Sequence, residues 1–441
     1  MILYLLITMA AVFVACIGSC AEDSVLAGRA EESWCRGGGV TRPAFGTRAW
    51  SLEKVSYFAL FLILLVPAVL RQACGNDYMR YVEFFHLASV GAYVPTEPGF
   101  NLFVTLIYRM TGYENYLLVF GIFAFATIAL FLAAIRQQAQ SFAWSFFLFM
   151  MFGYYFQSYN TVRYYFALAI ALFALRFFME RQYLPFILAI LFAATFHKSV
   201  LCVLVLYPLA RHSFRKYQAA LLVVAGGLFL VFHRQVMQVI VKLYPSYEGT
   251  DILAAGGQVS PGNILKCLLV LGLFLVCAKE TMDSGTRTAQ KEPTESAAQT
   301  AHAQTGAAAN MAAGQAGSRH LLQSMKRMSQ AACELPLRMR FYLNASLLSL
   351  YIYVFAWFVP EVSRIAYYLM ITQIFFIPEL LLGIPKEREK RRRLLIVLTA
   401  SAAIVMFLAF LAKAGDSRIR ILPYRTFLFH ELPATPSRSI H

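Results

Sequence analysis

Long apolar runs recur along almost the whole chain, and they constrain its fold more than any other feature. About 20 apolar residues cross a bilayer as a helix, because each residue adds about 1.5 Å and the hydrocarbon core is about 30 Å thick. Only 14% of the 441 residues are charged, whereas soluble domains average about a quarter. The sequence therefore predicts an all-α polytopic integral membrane protein with about twelve transmembrane helices. The predicted helices lie at roughly 1–19, 55–71, 115–135, 141–157, 161–178, 183–196, 198–210, 217–232, 263–278, 341–359, 365–383 and 394–412.

Basic residues between the runs predict the orientation of the chain. If all twelve runs span, then Arg136, Arg211, Lys279 and the cluster KEREKRRR (386–393) lie on the same side. Lys and Arg are enriched in cytoplasmic loops, so this side is predicted to face the cytoplasm and both termini to lie outside. Most basic residues lie in short loops between the apolar runs, so membrane topology also explains the formal net charge of +16. Membrane lipids are therefore the predicted surroundings, and nucleic acid is not a predicted partner.

The chain is predicted to divide into two membrane parts joined by a linker. Residues 1–279 carry the first nine helices, and residues 336–441 carry the last three and an external C-terminal tail. Residues 280–335 have few large apolar side chains, so they cannot offset the entropy of ordering and are predicted to form a disordered cytoplasmic linker. The external loop 72–114 is predicted to form two amphipathic or re-entrant helices at the outer face.

A predicted hairpin at residues 181–211 is unusually short for a membrane-spanning pair. Each arm would be about 21–23 Å long, which is less than the thickness of the hydrocarbon core. The turn, His197 and Lys198, is therefore predicted to lie in a recess that opens outward. Asn160 and Arg163 stand at the start of the preceding helix, at the same predicted face. Ionisable groups at such depth are costly unless they are paired or hydrated, which predicts a functional site.

Seven short motifs stand in the predicted external loops and at the helix ends. They are GNDYMRY (75–81), EPGFNLF (97–103), NTVRYYFALAI (160–170), FHKSVL (196–201), YPSYEG (244–249), SRIAYY (363–368) and PYRTF (423–427). In order and spacing, these motifs resemble the EpsG family of polytopic exopolysaccharide polymerases, which is Wzy-like. The chain departs from the family pattern at Tyr164, because the family usually has Gln after the arginine that corresponds to Arg163.

The resemblance implies a glycosyltransferase that acts at the outer face of the bacterial cytoplasmic membrane. Its substrates would be oligosaccharide repeat units carried on polyprenyl diphosphate, and its product would be exopolysaccharide, capsule or O-antigen. A chain-length regulator and a flippase of the same pathway are implied partners, and no cofactor is expected. The sequence has no HExxH motif, and its external loops have no Asp-x-Asp, so a metal-independent transfer is predicted.

Three cations are candidates for binding the diphosphate. Arg163 and Arg364 each stand at the predicted outer end of a helix and match the family motifs, and Lys198 lies in the recessed turn. Arginine binds phosphate oxygens through two parallel hydrogen bonds. The alternative for the arginines is a snorkelling side chain at the interface. Arg71 and Arg80 are weaker candidates.

Three residues are candidates for the catalytic base that accepts the proton of the attacking hydroxyl: His197, Asp77 and Glu97. Each has a plainer alternative. His197 would be a satisfied core residue, Asp77 an ordinary loop carboxylate and Glu97 a helix cap.

The candidate glycan-binding residues are an amide and several tyrosines that match or adjoin the motifs. They are Asn160, Tyr78, Tyr81, Tyr244, Tyr247 and Tyr367. The alternative for the tyrosines is the aromatic belt of the membrane interface.

Other functions remain open on the sequence alone. A flippase or transporter of lipid-linked oligosaccharide would carry ionisable residues on both sides and often two matching halves. A ligase or acyltransferase at the outer face would need similar residues and is not excluded by spacing. A sensor or scaffold is the least favoured, because no soluble signalling domain accompanies the membrane helices.

Overall fold

The computed structural model describes residues 1–35, 45–243, 259–289, 336–359, 362–416 and 419–429. Within these ranges the chain forms helices and no strands, so the all-α prediction is confirmed. The helices are α1 (Ile2–Cys35), α2 (Phe45–Leu70), α3 (Tyr78–Ser89), α4 (Pro98–Thr111), α5 (Tyr116–Gln138), α6 (Phe142–Met151), α7 (Tyr154–Gln157), α8 (Val162–Met179), α9 (Tyr183–Ala194), α10 (Val203–Arg211), α11 (Lys216–Val231), α12 (His233–Leu243), α13 (Pro261–Ala289), α14 (Leu337–Phe355), α15 (Val362–Met370), α16 (Gln373–Leu382) and α17 (Glu389–Ala412). Two short 3-10 helices lie at Lys198–Cys202 and Lys386–Arg388.

Several of these helices are long and apolar enough to cross a membrane. In the described ranges there are seven such candidates, and they are Ile2–Cys20, Leu52–Leu70, Tyr116–Gln138, Val162–Met179, Pro261–Ala278, Arg364–Leu382 and Glu389–Ala412. Three other predicted spans form shorter apolar helices, at Phe142–Met151, Tyr183–Ala194 and Tyr217–Val231. The chain is therefore a multi-pass membrane protein, and the number of twelve spans stays a prediction.

Contacts between residues divide the chain into two units, and the first unit combines an N-terminal segment with a C-terminal one. One comprises Met1–Leu206 with Val397–His441, and the other comprises Tyr207–Ile396. The C-terminal helix α17 therefore contributes most of its length to the unit that contains the N-terminal helices.

Helix α8 lies at the centre of the first unit, where it packs against α5 and α9. Its alanines at positions 167, 169, 171 and 174 are completely buried. Small side chains let neighbouring helix backbones approach closely, which is how membrane helices pack without a hydrophobic driving force. This packing holds the first turn of α8, with Arg163, against its neighbours.

The predicted loop 72–114 contains the two helices that the sequence indicates, α3 and α4. Each buries one side, with Val82 and Phe85 of α3 and Phe100 and Val104 of α4 in the core. Pro98 occupies the first turn of α4, where its missing N–H is not needed, and Gly112 ends the helix in the left-handed conformation. The helices are confirmed, and their place at the outer face stays a prediction.

The segment that follows α17 returns to the end of α2. The backbone N–H of Gln72 donates to the carbonyl of Arg425 at 2.8 Å, and that of Gly75 donates to the carbonyl of Arg420 at 2.9 Å. The hydroxyl of Tyr424 donates to the carbonyl of Pro67 at 2.9 Å. This C-terminal segment (419–429) therefore satisfies backbone groups that precede α3.

The second unit centres on α14, which packs against α13, α15 and α16. Arg338 and Glu379 form an ion pair at 2.7 Å between Nε and Oε1. Helix α13 continues to Ala289, so the first residues of the predicted linker 280–335 are helical. The rest of the predicted linker lies outside the described residues.

Candidate functional site

The start of α4 is fixed to the turn that follows α9. The backbone N–H groups of Gly99 and Phe100 donate to the carbonyl of Thr195 at 2.9 and 3.3 Å. A Cβ on Gly99 would lie 2.8 Å from that carbonyl oxygen, so only glycine permits the approach. This contact places Glu97, the residue before α4, beside the His197–Lys198 turn.

Glu97 joins that turn to the first turn of α8. One carboxylate oxygen, Oε2, forms an ion pair with the guanidinium of Arg163. The other, Oε1, accepts a hydrogen bond from the backbone N–H of Lys198 at 3.2 Å. The Glu97 and Arg163 side chains are only 15% and 17% exposed. Glu97 makes no capping hydrogen bond to α4, so its side chain does not act as the helix cap considered above.

The guanidinium of Arg163 lies among aromatic rings. Its carbon is 5.1 Å from the ring centre of Phe100, 5.7 Å from that of Tyr81 and 6.0 Å from that of Phe84. Rings at these distances stabilise a cation and shield it from water. Its Nε is buried and has no hydrogen-bond partner among the described residues. The side chain is thus held against protein, unlike a snorkelling arginine.

Tyr81 stays protonated beside this cation. Burial raises the pKa of its phenol, and the Arg163 guanidinium partly opposes that rise. The Tyr81 hydroxyl accepts a hydrogen bond from the Arg163 backbone N–H at 3.5 Å. A neutral phenol at physiological pH supports the arginine and is not a base.

His197 is buried in the turn that Glu97 contacts. Its Nδ1 lies 2.8 Å from the hydroxyl oxygen of Ser199, and its ring packs edge-on against Tyr164 with 5.3 Å between ring centres. Lys198, the next residue, is exposed. Tyr164, the position that departs from the family pattern, therefore packs directly against the His197 imidazole.

Asp77 and Asn160 form a second polar contact in the same unit. The Asp77 backbone N–H donates to the side-chain oxygen of Asn160 at 3.2 Å. Gly75, with a φ of +102°, permits this contact, because a Cβ there would lie 2.7 Å from the carbonyl oxygen of Tyr159. The side chains of Asp77 and Asn160 are partly exposed.

The described tyrosines among the predicted glycan-binding residues do not form an exposed surface on which a sugar could stack. Tyr78 and Tyr81 are buried, and Tyr78 stacks on Phe120 with 4.6 Å between ring centres. Tyr367 lies on α15 of the second unit, as does Arg364, and both are partly buried. Tyr244 and Tyr247 lie outside the described residues.

Arg71 is a buried cation that the sequence ranks only as a weaker candidate. Its side chain is 3% exposed, and its guanidinium carbon lies 4.6 Å from the ring centre of Tyr159 and 5.6 Å from that of Phe120. Its Nε is buried without a hydrogen-bond partner within the described ranges. The signal in the sequence is an arginine directly after an apolar run. Thr195, which accepts from Gly99, and Ser199, which contacts His197, also belong to the site, but nothing in the sequence distinguishes them from other hydroxyl residues.

The described part of the chain contains no group of three or more His, Cys, Asp or Glu side chains placed to hold a metal ion. The polar groups that the first unit brings together are instead an ion pair, a histidine and an exposed lysine. The fold and these groups define a multi-pass helical membrane protein with a charged site at the ends of its helices.

The comparison with family models then identifies the chain. The model described as the EpsG family matches residues 54–292 and 319–426. The protein therefore belongs to the EpsG family, a Wzy-like family of polysaccharide polymerases, and the predicted resemblance is confirmed. No curated protein and no solved structure gives a significant match to the chain.

Proposed function

We propose that this protein joins polyprenyl-diphosphate-linked oligosaccharide repeat units into exopolysaccharide, capsule or O-antigen at the outer face of the bacterial cytoplasmic membrane. The observation that carries the proposal is the Glu97 carboxylate, which holds the Arg163 guanidinium and the Lys198 backbone N–H together. Membership of the EpsG family supports the class of reaction.

Arg163 is the proposed principal ligand of the leaving diphosphate. Its unpartnered Nε–H can donate to a phosphate oxygen, and a low-polarity aromatic surround strengthens such a bond. Glu97 holds the guanidinium in place until the diphosphate competes for it. Lys198 is exposed in the adjoining turn and adds a second positive charge. Arg364, on α15, stays a proposed diphosphate ligand on the basis of its place in the SRIAYY motif (363–368).

His197 is the proposed base. The acceptor hydroxyl attacks the anomeric carbon of the donor sugar, the bond from that carbon to the diphosphate oxygen breaks, and the hydroxyl proton passes to the imidazole. The diphosphate leaves with the bonding electrons and is stabilised by the cations, without a metal ion. Both Glu97 oxygens are engaged, by Arg163 and by the Lys198 backbone N–H, so Glu97 is an alternative base only after the diphosphate has displaced it from Arg163. Asp77 remains a further alternative base.

Asn160 is proposed to bind the glycan, as are Tyr367 and, outside the described residues, Tyr244 and Tyr247. Tyr78 and Tyr81 are proposed to act beneath the site, since their buried rings support Arg163 and the start of α3. A chain-length regulator and a flippase are the proposed protein partners.

Gel analysis of the surface glycan tests the proposal. Arg163→Ala and His197→Ala should each abolish the long ladder and leave single repeat units. Arg109→Ala is the control, because Arg109 is exposed in the last turn of α4. Unchanged ladders for both site variants, at normal protein levels, would contradict the proposed site. Accumulation of lipid-linked units at the cytoplasmic face would favour a flippase.

Reconstitution separates polymerisation from ligation. Proteoliposomes given only lipid-linked repeat units should form longer lipid-linked glycans if the protein is a polymerase. A ligase would form no product until a different acceptor is added.

A further inference from the structure

A cleft of about 370 Å³ opens beside Glu97, between the end of α3 and the start of α4. Its lining includes Thr96 and Pro98, the two residues that flank Glu97 in the chain. A cleft of this size falls within the range of about 300–1,000 Å³ that is typical of small-ligand sites. The cleft belongs to the same unit as the ion pair, and Glu97 lies between two of its lining residues in the chain without being part of the lining.

Hydrogen bonds from one side chain of α4 hold the wall of this cleft. The amide of Asn101 donates to the backbone carbonyl of Val94 at 3.2 Å, and its oxygen accepts from the hydroxyl of Thr96. The loop that precedes α4 is thus tied to the helix before any ligand binds. A preformed wall lowers the entropic cost of binding.

Tyr93 lies in this wall with its ring uncovered. The residue is 85% exposed, whereas Tyr78 and Tyr81 are buried. Ala88 supplies apolar lining, and Thr96, Asn101 and Thr105 supply polar side chains. This mixture suits a sugar, which presents C–H groups to an aromatic ring and hydroxyls to amides and alcohols. An acyl chain would offer no hydrogen bond to the Thr105 hydroxyl or to the remaining acceptor positions of Thr96 and Asn101.

We propose that this cleft is a glycan subsite, in which Tyr93 stacks on a sugar of the repeat unit beyond the one that reacts. Thr105 contributes a hydroxyl from the second turn of α4. Binding here places the reacting sugar at the neighbouring Glu97, Arg163 and His197. This inference rests on the proposed polymerase function and names where its oligosaccharide is held.

Equilibrium dialysis of the purified full-length protein in nanodiscs tests the subsite. The probe is the free oligosaccharide released by mild acid from the lipid-linked repeat units of the same strain, labelled at its reducing end. Tyr93→Ala should weaken binding about two- to tenfold, which is the range expected for loss of one stacked ring. Tyr93→Phe should bind like the unmodified protein, because the ring is retained.

Tyr113→Ala is the matched control, since Tyr113 is also exposed and follows the far end of the 14-residue helix α4. Equal binding by Tyr93→Ala and Tyr113→Ala would overturn the subsite, as would failure of the unmodified protein to bind the free oligosaccharide. Reduced protein in the membrane with normal binding per molecule would show instead that Tyr93 is a lipid-interface anchor, which also overturns it. Thermal unfolding of each variant separates weak binding from misfolding.

The glycan ladder of Arg163→Ala, measured in parallel, separates failure of the subsite from failure of the proposed function. A lost ladder together with unchanged oligosaccharide binding by Tyr93→Ala would retain the polymerase and overturn the subsite. An unchanged ladder for Arg163→Ala would overturn the proposed site at Arg163, whereas an unchanged ladder in a strain that lacks the protein would overturn the polymerase function. Weakened binding by Tyr93→Ala would in either case retain a glycan-binding cleft.

Discussion

The Glu97 carboxylate connects a helix start, a turn and a second helix, and its position explains why charge is tolerated inside this unit. Burying a charge is costly, and a nearby opposite charge offsets that cost. Arg163 supplies the charge, and the Lys198 N–H satisfies the second carboxylate oxygen. If no ligand displaces Glu97, the ion pair with Arg163 only stabilises the fold. Reversing the two charges distinguishes this stabilising role from a role in diphosphate binding.

We expect Glu97→Arg and Arg163→Glu each to lower the thermal stability of the purified protein, by up to about 3 kcal/mol, because each leaves like charges facing one another. The double variant restores the ion pair in reversed order and should recover part of that stability, because the Lys198 N–H and the rings around position 163 lose their partners. It should still form no long glycan, since a carboxylate would then face the diphosphate. Melting curves and glycan gels measure the two effects, and polymerisation by the double variant would contradict a direct role for Arg163.

Two glycines with positive φ provide a second comparison at the residue scale. Gly75 and Gly112 have φ values of +102° and +76°. An alanine at Gly112 meets nothing within 4 Å and should cost about 1–2 kcal/mol for its left-handed backbone alone. Gly75→Ala should cost more and should also reduce polymerisation, because its Cβ would displace Tyr159 and Asn160. Equal melting temperatures for the two variants would show that the close approach at Gly75 is unimportant.

At the scale of elements, the site depends on short segments that are held by others distant in the chain. Helix α4 is fixed to the turn after α9 through Thr195, and the segment before α3 is fixed by the C-terminal segment. Neither α3 nor α4 is long enough to be stable alone in water, since isolated helices shorter than about 12–15 residues are marginal. Their tertiary contacts therefore position Asp77 and Glu97.

Truncation of the C-terminal segment tests this dependence. A protein that ends at Asp416 lacks the carbonyls of Arg420 and Arg425, which accept hydrogen bonds from Gly75 and Gln72. It should melt at a lower temperature and lose polymerisation. A protein that ends at Phe429 retains these bonds and should behave like the full chain. If both truncated proteins polymerise normally, the segment does not support the site.

At the scale of the whole molecule, the orientation predicted from basic loops decides which substrates the site can meet. Lipid-linked repeat units can reach this site only if the end of α3 and the start of α4 face the outside of the cell. Val90, at the end of α3, and Lys390, in the basic cluster, are both exposed and suit a labelling experiment.

We expect a membrane-impermeant maleimide to label Val90→Cys in intact spheroplasts. Lys390→Cys should react only after the membrane is permeabilised, because the positive-inside rule places it in the cytoplasm. The unmodified protein provides the background from native cysteines. The reverse pattern would overturn the proposed outer-face site.

Local properties of the sequence determined the class of this protein. Hydropathy along the chain predicts an all-α membrane protein, and helical spacing of apolar residues predicts α3 and α4. The short motifs predict the family, and the match of the family model confirms it. Each of these features depends on neighbouring residues, so it can be read without knowledge of the fold.

Only the tertiary structure decided how these pieces combine. Glu97 and Arg163 are 66 positions apart and come together because α4 and α8 both pack against the α9 turn region. The burial of Tyr78 and Tyr81, and the exposure of Tyr93, also depend on which helix faces cover them. Periodicity shows that a helix has an apolar side, whereas the partners of that side are set by close packing among distant segments.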